Sequence, residues 1–334
     1  MAKPKLPVQT ASPRAAIIGL VIACAAWGWT FPAMKWAVEI MAHAEPKASQ
    51  PMLVMIFMAL RFPLGALFYL VLTFRSQSGY TKEDIKVGFV TGSLAGIGMI
   101  FQFIGLMYVY PSVSGFLTAL SVITLPIAES VLMKKGVSWK LWLACLLALG
   151  GLVVMSLGAG GSGSSVKSEA PFPFFGEALT VLASLFFTAQ ILLLGHWGKG
   201  TNPQRVTLTF LMAVGAINLL AIMFWSDAQH FIIGGALTEA YANPTFKWTF
   251  YSTVFISTVI AFHFMNSSQP KVSATLAGVV YCMEPVFASL FSLALGAEEF
   301  RWSLGLGGGL ILIASLIAAT QTSPVPAAPE PAKA

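Results

Sequence analysis

Few residues in this sequence can do chemistry, and the most conspicuous stands inside an apolar run. The stretch YCMEPV, residues 281–286, sets Glu284 beside Pro285, with VSATLAGVV before it and FASLFSLALG after it. A proline inside a helix removes a backbone donor and kinks the chain. A charge in the middle of a bilayer costs at least about 3 kcal/mol. Two such costs at one point imply a polar gap in a helix wall, where a carboxyl can take and release a proton or meet a substrate amine. The competing use of Glu284 is a permanent ion pair, and Arg61 is the candidate partner. Arg61 lies about nine residues into its helix, hence about 14 Å below one surface, and Glu284 lies about 20 Å in from the other by the same rise. In a hydrocarbon core of about 30 Å these depths match. Lys35, nearer a helix end, can snorkel to the headgroups.

Other polar and aromatic groups fall inside apolar runs as well. Trp27 and Tyr281 offer π faces near mid-depth that can line an amphipathic cavity and attract cations. Thr30, Gln102, Ser121, Thr188, Gln190 and His263 either line the same cavity or bond to a neighbouring helix. Gln102 and Gln190 each bring two donors and an acceptor. These eight residues form the candidate substrate-binding set, with Pro126 and Pro285 as helix kinks. No metal and no cofactor is expected: the histidines at 43, 196, 230 and 263 share no ligand spacing, and Cys24, Cys145 and Cys282 form no CxxC. An integral-membrane enzyme acting on a lipid or membrane-delivered substrate is the rival reading; it needs catalytic groups clustered near one face. A receptor would need a sizeable soluble domain, and the chain has none.

The elements that must hold these residues follow from composition. The chain has 334 residues, 57% hydrophobic and 10% charged, where a soluble domain carries about 25% charged residues. Apolar runs of about 20 residues recur without the period of two that a barrel strand needs. The reading is an all-α integral membrane protein with ten transmembrane helices, near 15–38, 52–74, 87–108, 112–133, 140–158, 173–195, 206–225, 248–268, 271–295 and 303–320. With the N-terminus in the cytoplasm, thirteen Lys and Arg fall on the inner side, against five (Lys35, Lys47, Lys167, Lys247, Arg301) on the outer side. That asymmetry predicts both termini inside the plasma membrane of a bacterium. The net charge of +6 therefore sets topology and does not point to nucleic acid. The basic N-terminal stretch with AHA at 42–44 resembles a signal peptide, but its apolar run is too long and is interrupted by Lys35 and Glu39. It reads as a retained first helix.

An internal repeat organises the helices. YPSVSGFLTALSVITLPI (110–127) aligns with QPKVSATLAGVVYCMEPV (269–286) at an offset of 159, pairing Pro111 with Pro270 and Pro126 with Pro285. The units are 15–158 and 173–320, with a cytoplasmic tail at 1–14, a Gly/Ser-rich linker at 159–172 and a Pro/Ala-rich, disordered tail at 321–334. Five helices per unit is odd, so the second copy enters the membrane inverted, and the binding site belongs between the halves near the midplane. Glu284 has Leu125 at its partner position, so the carboxylate is specific to one half. The GxxxG pairs Gly92/Gly96 and Gly305/Gly309 allow close helix approach, read as packing inside a monomer rather than as a dimer seam.

AAWGWTFPAMKWAVE (25–39), Arg61, EPVFASLFSLALGAEEF (284–300) and the Gly-rich last helix together resemble the EamA family of the drug/metabolite transporter superfamily, over about residues 15 to 320. The resemblance implies two inverted five-helix repeats, cytoplasmic termini, no catalysis, and transport of small metabolites, often export of amino acids or related compounds. The outer loops at 39–51 and 226–247 look longer than the family's, and KKG stands where the family often has a Gly-Glu pair. The partners expected are a small-molecule substrate and the lipid bilayer.

Overall fold

The computed structural model describes residues 13–109, 114, 117–118, 120–134, 136–158, 174–296 and 299–321. The linker at 159–172, the residues 110–113 that open the repeat alignment, and most of both tails lie outside them. The described elements are helices, with no strand among them. Eight helical spans are long and apolar enough to cross a membrane, and two shorter apolar helices, Ser121–Leu132 and Trp139–Met155, accompany them.

The first span is two helices, α1 (Pro13–Gly28) and α2 (Thr30–Ala44). They break at Trp29 because Pro32 has no N–H to return to the carbonyl of Gly28. α2 runs to Ala44, so much of the expected 39–51 loop is helix. α3 (Gln50–Thr73) follows. α4 (Lys82–Gly105) is started by a capping box in which Thr81 and Asp84 each bond the other's backbone N–H at 3.1 Å. This local pairing satisfies two otherwise orphaned donors.

α5 (Ser121–Leu132) holds Pro126 without breaking, and α6 (Trp139–Gly158) follows it. The second half begins with α7 (Phe175–Trp197) and α8 (Pro203–Met223). The expected loop at 226–247 folds into α9 (Ser226–Ile233) and α10 (Ala236–Ala242), and α10 packs on α2. The next span is α11 (Pro244–Ser252), a π-helical stretch at Thr253–Ile260, and α12 (Ala261–Ser268). The ninth expected helix is two, α13 (Ala274–Tyr281) and α14 (Glu284–Ala294), and α15 (Trp302–Ala319) closes the order.

Small residues set the tightest packing. α4 meets α8 so closely that a Cβ on Gly92 would lie 2.6 Å from the Phe210 carbonyl oxygen. At the other expected pair the register is different. A Cβ on Gly307 would lie 2.5 Å from the carbonyl oxygen of Gly151 in α6, whereas Gly309 has nothing within 4 Å. The α6–α15 contact therefore uses Gly307, not Gly305 and Gly309. The core has two parts, one built around α3, α8 and α12 and one around α1, α5, α6, α13 and α15; Tyr281 packs against both.

Candidate functional site

The chain break ahead of Glu284 is local in origin. Pro285 cannot donate to the carbonyl of Tyr281, and Cys282 and Met283 make tighter bonds to Val279 (3.2 Å) and Val280 (2.9 Å) instead. Glu284 thus opens α14 as its first residue, partly buried. α1 presses on this point: a Cβ on Gly28 would lie 2.6 Å from Cβ of Phe287 and 2.8 Å from the Ala288 nitrogen.

Trp27 and Tyr281 meet beside the break, ring to ring at 5.5 Å and edge-on. Trp27 also meets Phe262 at 5.4 Å, and Phe262 meets Phe62 at 5.6 Å and Phe210 at 5.1 Å. The Phe210 pair is tilted, and the others are edge-to-face, a favoured arrangement of aromatic quadrupoles. Tyr281 Oη donates to Gln269 Oε1 at 2.6 Å, and Gln269 Nε2 donates to the Ile191 carbonyl at 2.7 Å. Gln269 is fully buried, so it fixes the Tyr281 ring to α7.

Arg61 makes its direct hydrogen bonds away from Glu284. Lys86–Glu83 and Arg205–Asp84 are ion pairs, at 3.9 Å and 3.3 Å. Arg61 is 2% exposed and turns to the π-helical stretch, donating from Nε to Thr258 Oγ1 at 2.6 Å and from Nη2 to the Ser257 carbonyl at 3.1 Å. Its guanidinium carbon lies 5.4 Å from the Phe62 ring centre. Similar depth made contact with Glu284 conceivable, but the widened π turn offers hydroxyl and carbonyl acceptors closer by. The same stretch is tied to α1, since Ser257 Oγ donates to the Ala26 carbonyl at 2.6 Å. Trp29 Nε1 donates to Ser252 Oγ at 3.0 Å just before it. π turns occur disproportionately at functional sites, and no sequence signal marks this one.

The remaining candidates fall into separate groups. Thr188 Oγ1 lies 2.6 Å from Thr124 Oγ1 of α5 and donates to the Ser184 carbonyl at 2.8 Å. Gln102 donates to Thr118 Oγ1 at 3.1 Å, and Ser121 begins α5 nearby in sequence, partly buried. His263 pairs through Nδ1 with Tyr69 Oη at 2.8 Å, between α12 and α3. Thr30 Oγ1 and Gln190 Nε2 are buried without a hydrogen-bond partner. Lys35 is exposed. Among the described residues no three His, Cys, Asp or Glu are gathered as metal ligands.

One acidic residue escaped the sequence reading. Glu129 in α5 is 8% exposed. Its Oε1 accepts from the Ala274 N–H at 3.1 Å and its Oε2 from the Thr275 N–H at 2.9 Å, and Thr275 Oγ1 donates to the same Oε2. The signal that singled out Glu284, an ionisable group in an apolar run, was present in LPIAES as well.

A family model described as the EamA-like transporter family matches residues 14–157 and again 174–320. A protein of Archaeoglobus fulgidus named only an uncharacterized transporter is 29% identical over 305 residues, covering 90% of this chain and 84% of the relative. The uncharacterized transporter YetK of Bacillus subtilis is 27% identical over 288 residues, covering 81% of each. A solved structure, described only as the crystal structure of a protein, superposes with a TM-score of 0.70 at 17% identity, over 91% of this chain and 96% of that one. At that identity the likeness concerns the fold alone.

Proposed function

The chain belongs to the EamA-like transporter family, and from that premise we propose that it is a secondary transporter that exports small amphipathic metabolites, amino acids or related compounds, across the cytoplasmic membrane. The observation that carries this reading is the double match of one family model, over 14–157 and 174–320. A unit with an odd number of crossings, used twice, enters the membrane in opposite senses and forms its site between the copies.

The packing pattern supports the same reading. α4 packs on α7, and its counterpart span, ending in α12, packs on α1; α3 packs on α8 and α6 on α15. Exchanging each span for the one five further on exchanges these contacts among themselves, as a two-fold axis in the membrane plane requires. Ten crossings follow if Ser121–Leu132 and Trp139–Met155, each shorter than a usual span, count as membrane elements.

Trp27, Tyr281 and Glu284 are assigned to the cavity wall, with Thr30, Gln102, Ser121, Thr188, Gln190 and His263 as polar contributors. Glu284 stands at an interrupted helix, where backbone and side chain are both polar. It takes up a proton in one orientation of the halves and exchanges it for a cationic or zwitterionic solute in the other. The test is metabolite profiling of cells with and without the protein, followed by uptake of the compounds it identifies into proteoliposomes under an imposed pH gradient. Compounds that accumulate inside cells lacking the protein and move in proteoliposomes support export. Profiles that match with and without the protein overturn it.

A further inference from the structure

We infer that Glu129 is the latch of a gate: its carboxylate holds α5 of the first half against the start of α13 in the second, and it must let go for the path between those helices to open. The inference rests on the transporter reading above and adds to it a residue outside the cavity wall.

The first turn of a helix has N–H groups with no partner of their own. In α13 the local cap covers part of them. Ser273 Oγ accepts from the Leu276 N–H at 3.1 Å, and the Ser273 carbonyl accepts from the Ala277 N–H at 3.0 Å. The N–H groups of Ala274 and Thr275 are left over, and both go to Glu129. A residue 145 positions away thus completes the cap. Hydrogen bonds to an ionised carboxylate are about twice as strong as neutral ones, and the positive end of the helix dipole adds to them.

The contact continues along the two helices in antiparallel register. One turn before Glu129 in α5 is Leu125, and one turn after Ala274 in α13 is Gly278. A Cβ on Gly278 would lie 2.4 Å from Leu125 Cδ1. Leu125 and Glu129 therefore seal one seam, the first dry and the second polar. α13 lies along α5 and also touches α1, α6, α7 and α15, while α14, beyond the break at Cys282–Met283, packs on α1, α2 and α15. A swing of α13 at that break parts Leu125 from Gly278 and Glu129 from Ala274 and Thr275 together. Near a helix end, water can replace the carboxylate on the two freed N–H groups. The bonds are then strong enough to hold the seam shut and exchangeable enough to release it.

The test uses the full chain in liposomes, with Cys24, Cys145 and Cys282 changed to alanine and a single Leu125→Cys as reporter. Leu125 is fully buried, so N-ethylmaleimide labels the reporter only when the seam opens. The rate is measured well below the melting temperature of each protein. Glu129→Gln is expected to raise the labelling rate about tenfold, the change expected from weakening a charge-assisted pair of bonds. Thr275→Val, which removes only the hydroxyl contact, raises it less but in the same direction, and carries the test if Glu129→Gln does not fold. Labelling that stays within about twofold of the parent overturns the latch, even if the melting temperature falls, because Glu129 then only stabilises the fold. No substrate enters the measurement, so a negative result leaves the transporter reading standing, and failed transport leaves the latch to be judged on labelling alone.

Discussion

At the scale of single residues, the two groups that the sequence offered as partners make their direct contacts elsewhere. Arg61 spends its donors on Thr258 and Ser257, and Glu284 stands at the head of another helix. If the two formed a buried ion pair, neutralising either would cost about 3–5 kcal/mol alike. The geometry predicts unequal effects. Arg61→Gln should lower stability by about 1–3 kcal/mol, the cost of bonds to a charged group. Glu284→Gln, which breaks no direct ion pair, should lower it less than Arg61→Gln does while removing the response of transport to a pH gradient. Thermal unfolding of both variants, with uptake at two imposed gradients, decides; equal large losses of stability restore the ion pair. Trp27 and Tyr281 touch each other, so their truncations should not be additive. Trp27→Ala and Tyr281→Ala should each weaken transport at normal expression, and the double variant should fall short of their product. Unchanged kinetics in either single variant removes that residue from the cavity wall.

At the scale of elements, packing depends on which glycine faces which backbone. Gly307 lies against the carbonyl oxygen of Gly151, and Gly309 faces open space. Gly307→Val should therefore disrupt the α6–α15 contact and cost about 1–3 kcal/mol, as overpacking does. Gly309→Ala should be neutral or slightly stabilising, since alanine is the better helix former by about 1 kcal/mol. Size-exclusion profiles and melting curves of the two detergent-solubilised variants distinguish this from the register GxxxG spacing suggests, in which both substitutions harm alike. The interruption at Cys282–Met283 belongs to this scale too. Pro285 marks it in the sequence, but Pro126, in the matching position, sits in an unbroken helix. One missing N–H is tolerated where flanking bonds persist, so a proline alone does not fix a break.

At the scale of the whole molecule, the arrangement predicted in the membrane is open to direct test. With both termini inside, Asn243, an exposed residue between α10 and α11, faces outward. Ser78, whose carbonyl accepts from Arg205, faces the cytoplasm. In a cysteine-free background, Asn243→Cys in intact cells should react with an impermeant maleimide and Ser78→Cys should not. The reverse pattern overturns the orientation. The end of the bundle that carries Ser78 has its own fastening between the halves: Arg205 bonds to the carbonyls of Ser76 and Gly79 and pairs with Asp84 at 3.3 Å, and Asp84 also accepts from the Asn202 N–H at 2.9 Å. α4 and α8 start together from this knot and stay together through Gly92, so they form a fixed frame.

The membrane class and eight of the spans were legible in the sequence, because both depend on local composition. An apolar run of about 20 residues without a period of two must be helical in lipid, whatever its neighbours are. The interruption before Glu284 was legible too, since proline lacks its donor in any context. The partners of individual residues were not. Whether Arg61 meets Glu284 or Thr258, whether Gly307 or Gly309 faces α6, and whether Glu129 caps a helix in the other half depend on rotations and translations between helices. Those are set by the summed packing of many side chains, and no local pattern encodes them. The π turn at Thr253–Ile260 was hidden for the same reason. It is one residue's slip in a hydrogen-bond ladder, made favourable by contacts from α1 and α3 that exist only once the bundle has formed.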